Sequence, residues 1–191
     1  MIGYAFTGSF CTLAQSLNQL RGLIEAGYDV QPIMSENVYT TDTRFFKRNE
    51  LIGAVTELCG REVVHTIGEA ELFGAKRPLD YLIISPCTGN TLAKMANGIT
   101  DTAVTMAAKA HLRCDRPILI SLASNDAMSQ NLSNIARLLT RKSVYFVPLM
   151  QDDAKGKPHS LVADFSRLYE GFSAMAEGRQ LRPLFCVPEA R

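Results

Sequence analysis

The chain has 191 residues, 47% of them apolar, and its acidic and basic residues nearly balance at a formal net charge of +1. This length suits a single domain with a sizeable core, and the balanced charge argues against a polyanionic partner such as nucleic acid. No apolar run approaches the roughly 20 residues that cross a bilayer, and the N-terminus lacks the basic-then-apolar pattern of a signal peptide. Five scattered cysteines fit reduced thiols rather than a disulfide framework. We therefore expect a cytoplasmic protein without a membrane segment.

Strands and helices alternate from the N-terminus onward. The apolar run that opens the chain predicts a strand, and leucines at three- and four-residue spacing then predict an amphipathic helix. In chain order, the first half is predicted to contain a strand at Ile2–Phe6, a helix at Thr12–Ala26, a strand at Asp29–Met34, a polar loop at Ser35–Thr43, a helix at Arg44–Leu58, a weak strand at Val63–Val64 and an irregular stretch at Glu69–Pro78.

The second half repeats this alternation. Its first strand, Tyr81–Ile84, is apolar throughout, which is typical of a parallel strand buried on both faces. The elements that follow are predicted helices at Leu92–Gly98, Thr102–Leu112, Ser129–Arg141 and Ser160–Glu177, strands at Pro117–Ser121 and Ser143–Val147, and an extended tail at Arg182–Val187.

Alternation of this kind predicts an α/β fold in which helices cover both faces of a parallel sheet through right-handed crossovers. We expect one domain over residues 1–180, a doubly wound flavodoxin-like or Rossmann-like three-layer sandwich, and an extended C-terminal tail over residues 181–191. Apolar Leu184, Phe185 and Val187 lie between Pro183 and Pro188, so we expect the tail to be packed, for example on a neighbouring protomer.

Four loops that follow predicted strands are rich in small hydroxyl residues: Thr7–Ser9, Ser35–Asn37, Pro86–Thr91 and Ser121–Ser124. The carboxyl ends of parallel strands share one edge of the sheet, where ligands of open α/β sheets bind. Neither a complete G-x-G-x-x-G nor a G-x-x-x-x-G-K-[ST] motif occurs, so a dinucleotide or nucleoside triphosphate site is not supported. Hydroxyls and a carboxamide in the turn suit a planar heteroaromatic ligand, and one phosphate can lie where helix N-termini and serines meet.

Two segments, Pro86–Lys94 and Gly98–Asp101, resemble the signature of a flavoprotein superfamily that includes cysteine decarboxylases binding flavin mononucleotide (FMN) and flavin prenyltransferases. Five more segments are similar to the B subunits of dipicolinate synthases of spore-forming bacteria: Thr7–Ser9, Thr40–Phe45, Ser124–Ala127, Lys142–Pro148 and Gln151–Asp152. The resemblance covers nearly the whole chain, and Thr40–Phe45 is the segment that narrows it to the B subunits.

This resemblance implies a set of ligand-binding residues, while no catalytic residue and no metal site is assigned. Asp101 matches an aspartate that opens the next helix in relatives, and Ser35 matches the residue that holds the flavin phosphate. The implied cofactor-binding residues are Thr7, Gly8, Ser9, Ser35, Thr88, Gly89, Asn90, Thr91, Ser121 and Ser124. The implied substrate-binding residues are Thr43, Arg44, Asn90 and Asp101.

The chain departs from two groups of relatives. Cysteine decarboxylases carry a histidine where this chain has Leu72, and flavin prenyltransferases carry an Arg-Glu pair where it has Ala123 and Ser124. The pocket therefore lacks an obvious acid–base residue. Both departures weaken the interpretation of the chain as either of those enzymes.

The resemblance further implies that the chain is one component of an oxidoreductase that forms dipicolinate in sporulation. Its partner, the A subunit, resembles a nicotinamide-dependent dehydrogenase and oxidises a dihydrodipicolinate ring; this chain binds FMN or the small dicarboxylate ring substrate. Relatives form trimers and dodecamers, so a homo-oligomer is expected. Two alternatives stay open: a stand-alone FMN-dependent decarboxylase or oxidoreductase acting on a small acid, and a non-catalytic scaffold that has lost flavin.

Several individual residues have competing interpretations. Arg44 can pair with a substrate carboxylate or can simply begin a helix that Asp42 or Thr43 caps. Cys87 is either a reactive thiol or, as we favour, a small packing residue. The three histidines are too far apart in sequence for a recognisable zinc motif.

Overall fold

The computed structural model describes residues 1–187, and five parallel strands form the centre of its sheet. These strands are β1 (Ile2–Phe6), β2 (Val30–Met34), β3 (Tyr81–Thr88), β4 (Ile118–Ser124) and β5 (Val144–Phe146). Pairing gives the order β2-β1-β3-β4-β5. This is the order of a flavodoxin-like doubly wound sheet, so the predicted fold class is confirmed.

Helices connect the strands and cover the two faces of the sheet. They are α1 (Leu13–Glu25), α2 (Glu36–Thr40), α3 (Arg48–Cys59), α4 (Ile67–Glu71), α5 (Gly89–Ala96), α6 (Ala103–Leu112), α7 (Leu132–Leu139) and α8 (Leu168–Ala176). Within residues 1–187, no helix has both the length and the apolar character that a membrane span requires.

The sheet is extended beyond β4 by three short strands that the sequence pattern did not predict. They are β6 (Leu149–Met150), β7 (Leu161–Ala163) and β8 (Phe185–Cys186). β7 runs antiparallel to the end of β4 and to β6, so the sheet is mixed at this side. The prediction of one helix over Ser160–Glu177 is therefore wrong in its first part, since α8 begins only at Leu168. The start of that segment pairs with a strand far away in sequence, and this pairing overrides the local pattern.

The C-terminal tail packs on its own chain. β8 lies parallel to β6, the amide of Leu149 donates to the carbonyl of Leu184 at 2.7 Å, and the Leu184 side chain is buried. The tail is thus attached to its own domain through Leu184 and β8, whereas the side chains of Phe185 and Val187 are exposed. Pro188 and the three residues after it lie outside the described residues.

The predicted helix at Arg44–Leu58 begins four residues later, at Arg48. The hydroxyl oxygen of Thr43 accepts hydrogen bonds from the amides of Phe45 (3.2 Å) and Phe46 (3.1 Å), which holds this stretch in a turn. Asp42 accepts a hydrogen bond from the amide of Arg48 at 3.0 Å and so stabilises the start of α3. This agrees with the interpretation that Asp42 caps the helix. The loop predicted at Ser35–Thr43 is wrong in part, since it contains α2.

Other boundaries also shift. β3 continues through the turn residues to Thr88, and α5 then starts at Gly89 rather than Leu92, because the Thr88 hydroxyl accepts from the amide of Thr91 at 3.1 Å and caps the helix. α7 begins at Leu132 instead of Ser129. These differences leave the order of the predicted elements intact.

Candidate functional site

The order of the parallel strands reverses between β1 and β3, and the loops after these two strands define a crevice at their carboxyl ends. Thr7 joins the two strands there. Its hydroxyl donates to the carbonyl of Pro86 at 2.8 Å and accepts from the amide of Thr88 at 2.9 Å. Thr7 is only 1% exposed, so its side chain lies beneath the crevice and holds the two strand ends together.

One cavity of about 290 Å³ opens on the β2 side of this crevice, and we call it the Ser35 cavity. Its lining residues come from the ends of β1, β2 and β3 and from the starts of α5 and α6: Gly8, Ser35, Glu36, Asn37, Thr88, Asn90, Thr91, Lys94, Asp101 and Thr102. Six of these ten are among the predicted ligand-binding residues. Lys94 and Thr102 are additions that became visible only in the structure.

Ser35 is the most unusual residue of this cavity. It is 8% exposed, and its hydroxyl oxygen is buried without a hydrogen-bond partner. A buried, unpaired hydroxyl costs about 1–3 kcal/mol unless a ligand bonds to it. Because such groups are rare in proteins, Ser35 marks the cavity as a candidate binding site.

The helix starts that border the Ser35 cavity favour an anionic ligand. Thr88 caps α5, and the Thr102 hydroxyl accepts from the amide of Thr105 at 3.2 Å to cap α6. The first amides of each helix keep no intrahelical partner and carry the positive end of the helix dipole. An unpaired serine hydroxyl beside two such helix starts therefore fits a phosphate group.

Asp101 and Lys94 form an ion pair at the rim of the Ser35 cavity, with 2.9 Å between the Lys94 ammonium and the carboxylate. The hydrogen bond from Lys94 holds the pKa of Asp101 below its ordinary value. Asp101 precedes α6, whose cap is Thr102. The ion pair neutralises Asp101, so this carboxylate does not repel an anion bound nearby.

A second cavity of about 250 Å³, the Ser124 cavity, lies on the β4 side of the same loop. It is lined by Ser9, Cys11, Thr12, Gln15, Ala123, Ser124, Asn125, Asp152, Lys157 and Val162. Adjacent residues Gly8 and Ser9 line one cavity each, so the loop after β1 separates the two. Through Gln15, Asp152 and Val162 the Ser124 cavity shares its wall with a groove of about 720 Å³ between α1 and the β6–β7 segment.

Beneath the Ser124 cavity lies a carboxylate, Asp126, that was not among the predicted site residues. The Ser124 hydroxyl donates a hydrogen bond to Asp126, and the Asn131 amide donates to both carboxylate oxygens at 3.0 Å. These bonds, Ser124 first, hold the pKa of Asp126 below its ordinary value. The Ser-x-Asp spacing in Ser124–Asp126 was the available signal, but only the turn after β4 brings the carboxylate back to the hydroxyl.

Gly89 packs directly against this cluster. A Cβ atom at Gly89 would lie 2.6 Å from the Asn131 amide nitrogen and 2.8 Å from an Asp126 oxygen, and it would also collide with the Ser124 hydroxyl. No side chain fits there without displacing the cluster. The role of Gly89 is thus to let the backbone at the start of α5 approach this cluster closely, and it supplies no ligand-binding group.

Besides Thr7 and Gly89, three predicted site residues line neither cavity. Ser121 is fully buried within β4, and its hydroxyl is a second buried group without a partner. Thr43 and Arg44 lie in the turn before α3, where the Arg44 guanidinium sits 4.8 Å from the centre of the Phe45 ring. The Arg44 side chain is exposed.

Two of the histidines and the central cysteine have packing roles. His65 stacks on Tyr39 with ring centres 3.7 Å apart, and burial lowers the pKa of His111, which contacts the Pro117 carbonyl, to about 4. Burial also raises the pKa of Cys87, which makes it an unreactive packing residue, as we favoured. Among residues 1–187, no group of three metal-ligating side chains comes together.

Comparison with known proteins agrees with this fold. A family model described as Flavoprotein matches residues 1–167, and the chain therefore belongs to the flavoprotein family. The predicted resemblance to dipicolinate synthase B subunits is confirmed too. The chain is 39% identical to the B subunit of dipicolinate synthase from Bacillus subtilis (strain 168) over 183 residues, 96% of this chain and 92% of that protein.

Solved structures extend the comparison. The crystal structure of the B subunit of dipicolinate synthase from Bacillus halodurans C has a TM-score of 0.89 and 40% identity, covering 97% of this chain and 95% of that one. The FMN-dependent cysteine decarboxylase SpaF has a TM-score of 0.66 with 19% identity, covering 93% and 95%, and so shares the fold.

Proposed function

We propose that this chain binds FMN and acts as the B subunit of a cytoplasmic dipicolinate synthase. With a dehydrogenase-like A subunit, it forms dipicolinate from dihydrodipicolinate during sporulation. The observation that carries the proposal is the end-to-end match to two dipicolinate synthase B subunits, at 39% and 40% identity over more than nine-tenths of every chain compared. A match of that extent supports transferring the function as a whole rather than one part of it.

The Ser35 cavity supplies the groups that a flavin needs. Ser35 bonds the phosphate with its otherwise unpaired hydroxyl. Gly8 in this cavity, and Ser9 on the other side of the loop after β1, face the ribityl-phosphate arm. Thr88, Asn90 and Thr91 orient the ring system and the substrate. When bound, FMN supplies a ring that accepts and returns electrons. The residues of this chain bind it, orient it and exclude water.

Thr43 and Arg44 have a different place in this proposal. Both lie outside the two cavities of their own chain, and Arg44 is exposed. We therefore assign them to contacts with the A subunit or with a second copy of this chain, where a guanidinium can still pair with a substrate carboxylate.

We expect the chain to form a homo-oligomer, a trimer or a dodecamer.

Reconstitution tests the proposal. FMN binding to the purified chain is measured by quenching of flavin fluorescence, and dipicolinate formation is measured with this chain, with the A subunit, and with both. We expect saturable quenching, and dipicolinate only from the mixture. Asn90→Ala should abolish detectable synthase activity, while Asn49→Ala, an exposed position on α3, should leave it unchanged.

Other outcomes identify the alternatives. Dipicolinate formation or decarboxylation of a small acid by this chain alone would establish a stand-alone flavin enzyme. Full activity of the mixture with no FMN binding would establish a scaffold that has lost flavin. Either result contradicts the proposal.

A further inference from the structure

The Ser124 hydroxyl is the end of a chain of hydrogen bonds that crosses from the surface of the protein to the edge of the sheet. Arg137 donates to the Asn97 carbonyl oxygen at 2.6 Å, Asn97 donates to Asn134 at 3.3 Å, and Asn134 donates to Asn131 at 2.9 Å. Asn131 then donates to both oxygens of Asp126. The last member is Ser124, which donates to Asp126 from the other side.

The direction of this chain is determined at both ends. A guanidinium can only donate hydrogen bonds, and an ionised carboxylate can only accept them. Each asparagine between Arg137 and Asp126 is therefore oriented with its carbonyl oxygen toward the arginine and its amide toward the aspartate. For the same reason the Ser124 proton points at Asp126, and the hydroxyl has only lone pairs left for other contacts.

Ser124 is one of the residues that line the Ser124 cavity. It is 8% exposed, Asn131 is 5% exposed, and Asn134 is 9% exposed, so the cluster is shielded from water. A hydroxyl whose proton is held by a carboxylate carries extra negative charge on its oxygen and is a stronger acceptor. Lys157, which lines the same cavity, is itself paired with Asp152 at 3.1 Å.

We propose that Ser124, oriented by Asp126, accepts a hydrogen bond from a ring N–H of the ligand and so selects N–H-bearing heterocycles over rings that present a bare nitrogen. The inference rests on the proposed function, because it takes the ligand to be the flavin or the ring substrate. Both can carry the required group: oxidised flavin has an N–H at position 3, and a 1,2- or 1,4-dihydropyridine dicarboxylate has a ring N–H that its aromatic product lacks. Asp126 is a positioning residue in this scheme, since it acts through Ser124.

Two pairs of probes distinguish the flavin from the ring substrate as the ligand that contacts Ser124. FMN is compared with 3-methyl-FMN, which lacks the N–H, and 4-pyridone-2,6-dicarboxylate, which has a ring N–H, is compared with dipicolinate, which does not. In the wild-type protein one pair should show an affinity ratio of about tenfold in favour of the N–H form, the value of one charge-assisted hydrogen bond. The pair that shows it identifies the ligand group at Ser124.

Substitutions distinguish an orienting role of Asp126 toward Ser124 from a purely structural role. Ser124→Ala should bring the ratio to about one, and Asp126→Asn should reduce it, since an asparagine amide can donate to Ser124 and release its proton toward the cavity. A purely structural role would weaken both ligands of a pair equally and leave the ratio unchanged. Asp115→Asn, at an exposed site on the opposite edge of the sheet, should keep the wild-type ratio. Thermal unfolding verifies that each variant is folded; should Asp126→Asn not fold, Ser124→Ala carries the test.

FMN binding without any N–H preference in either pair would overturn the inference and leave the proposed function standing. A ratio that is retained in Ser124→Ala would also overturn it. If the wild-type protein binds no flavin, the proposed function fails, and a preference within the dicarboxylate pair alone would still support the inference. Binding of none of the four probes would overturn both.

Discussion

At the scale of single residues, Ser35 should strengthen ligand binding at a cost to the stability of the unliganded protein. Its hydroxyl is buried with no partner among the described residues. Replacing it by alanine removes an unpaired polar group, so Ser35→Ala should leave the free energy of unfolding without flavin unchanged or raise it by about 1 kcal/mol. The same change should weaken FMN binding about tenfold, since it removes a charge-assisted hydrogen bond to the phosphate. Urea unfolding and flavin titration measure the two effects.

Ser16 is the matched control for this prediction. It is buried as well, but its hydroxyl donates to the Ser85 carbonyl at 2.5 Å and contacts the Tyr4 hydroxyl at 3.0 Å. Ser16→Ala should lower the free energy of unfolding by about 1–3 kcal/mol. Equal stability losses in both variants would show that Ser35 is a structural residue.

Gly89 is a residue where a single methyl group should be disruptive. Its Cβ would contact Asn131 and Asp126 at 2.6 and 2.8 Å, so Gly89→Ala should lower the free energy of unfolding by about 1–3 kcal/mol. Gly53 lies on α3 with nothing within 4 Å, and Gly53→Ala should instead stabilise the protein by up to about 1 kcal/mol. Thermal unfolding of the two variants measures the difference, and equal shifts would contradict the close packing at Gly89.

At the scale of elements, the strand β8 attaches the tail to the domain. Leu184 is 6% exposed, and its carbonyl accepts from the amide of Leu149. Leu184→Ala should therefore lower the free energy of unfolding by about 2–4 kcal/mol, the cost of emptying a buried leucine site. Val187, which is 90% exposed, provides the control: Val187→Ala should have no measurable effect in the same urea titration. A negligible effect of Leu184→Ala would mean that the tail contributes little to the domain in solution.

The turn before α3 shows how an element boundary is decided. Thr43 binds the amides of Phe45 and Phe46, and Asp42 binds the amide of Arg48, so side chains hold the backbone out of the helix until Arg48. Residues 44–47 have a composition compatible with helix, and the competition between helix and side-chain bonds is not visible in that composition. As a result, Arg44 lies in an exposed turn and not on a helix beside the crevice.

At the scale of the whole molecule, one buried histidine makes global stability depend on pH. Burial lowers the pKa of His111 to about 4 from its ordinary value near 6.5, so the folded state prefers the neutral ring. Its stabilising contribution is fully present above about pH 6.5 and is lost as the pH falls toward 4, because the unfolded chain takes up the proton first. Between about pH 7 and 5 we expect a loss of roughly 2 kcal/mol.

Urea unfolding at these two pH values tests the prediction. His111→Gln removes the titrating group and can still donate to the Pro117 carbonyl, so it should flatten the dependence on pH. His159 is exposed, and His159→Gln should retain the wild-type slope. If the His111→Gln variant kept that slope as well, another group would be responsible.

The sequence by itself determined the order of the elements and the position of the crevice. Apolar runs such as Tyr81–Ile84 and the periodic leucines of α1 indicate buried strands and helix faces from neighbouring residues alone. Hydroxyl residues directly after β1, β2 and β3 must lie at one edge of the sheet, because the carboxyl ends of parallel strands meet there. Six of the predicted ligand-binding residues line the Ser35 cavity for this reason.

Only the tertiary structure decided which hydroxyls have partners and which strands meet. Thr7 and Ser35 look alike in sequence, yet Thr7 is bonded to β3 while Ser35 is left unpaired. The antiparallel pairing of β7 with the end of β4, the attachment of the tail, and the amide chain from Arg137 to Asp126 all join residues distant along the chain. Such pairings depend on packing and hydrogen bonding in three dimensions, which no local pattern encodes.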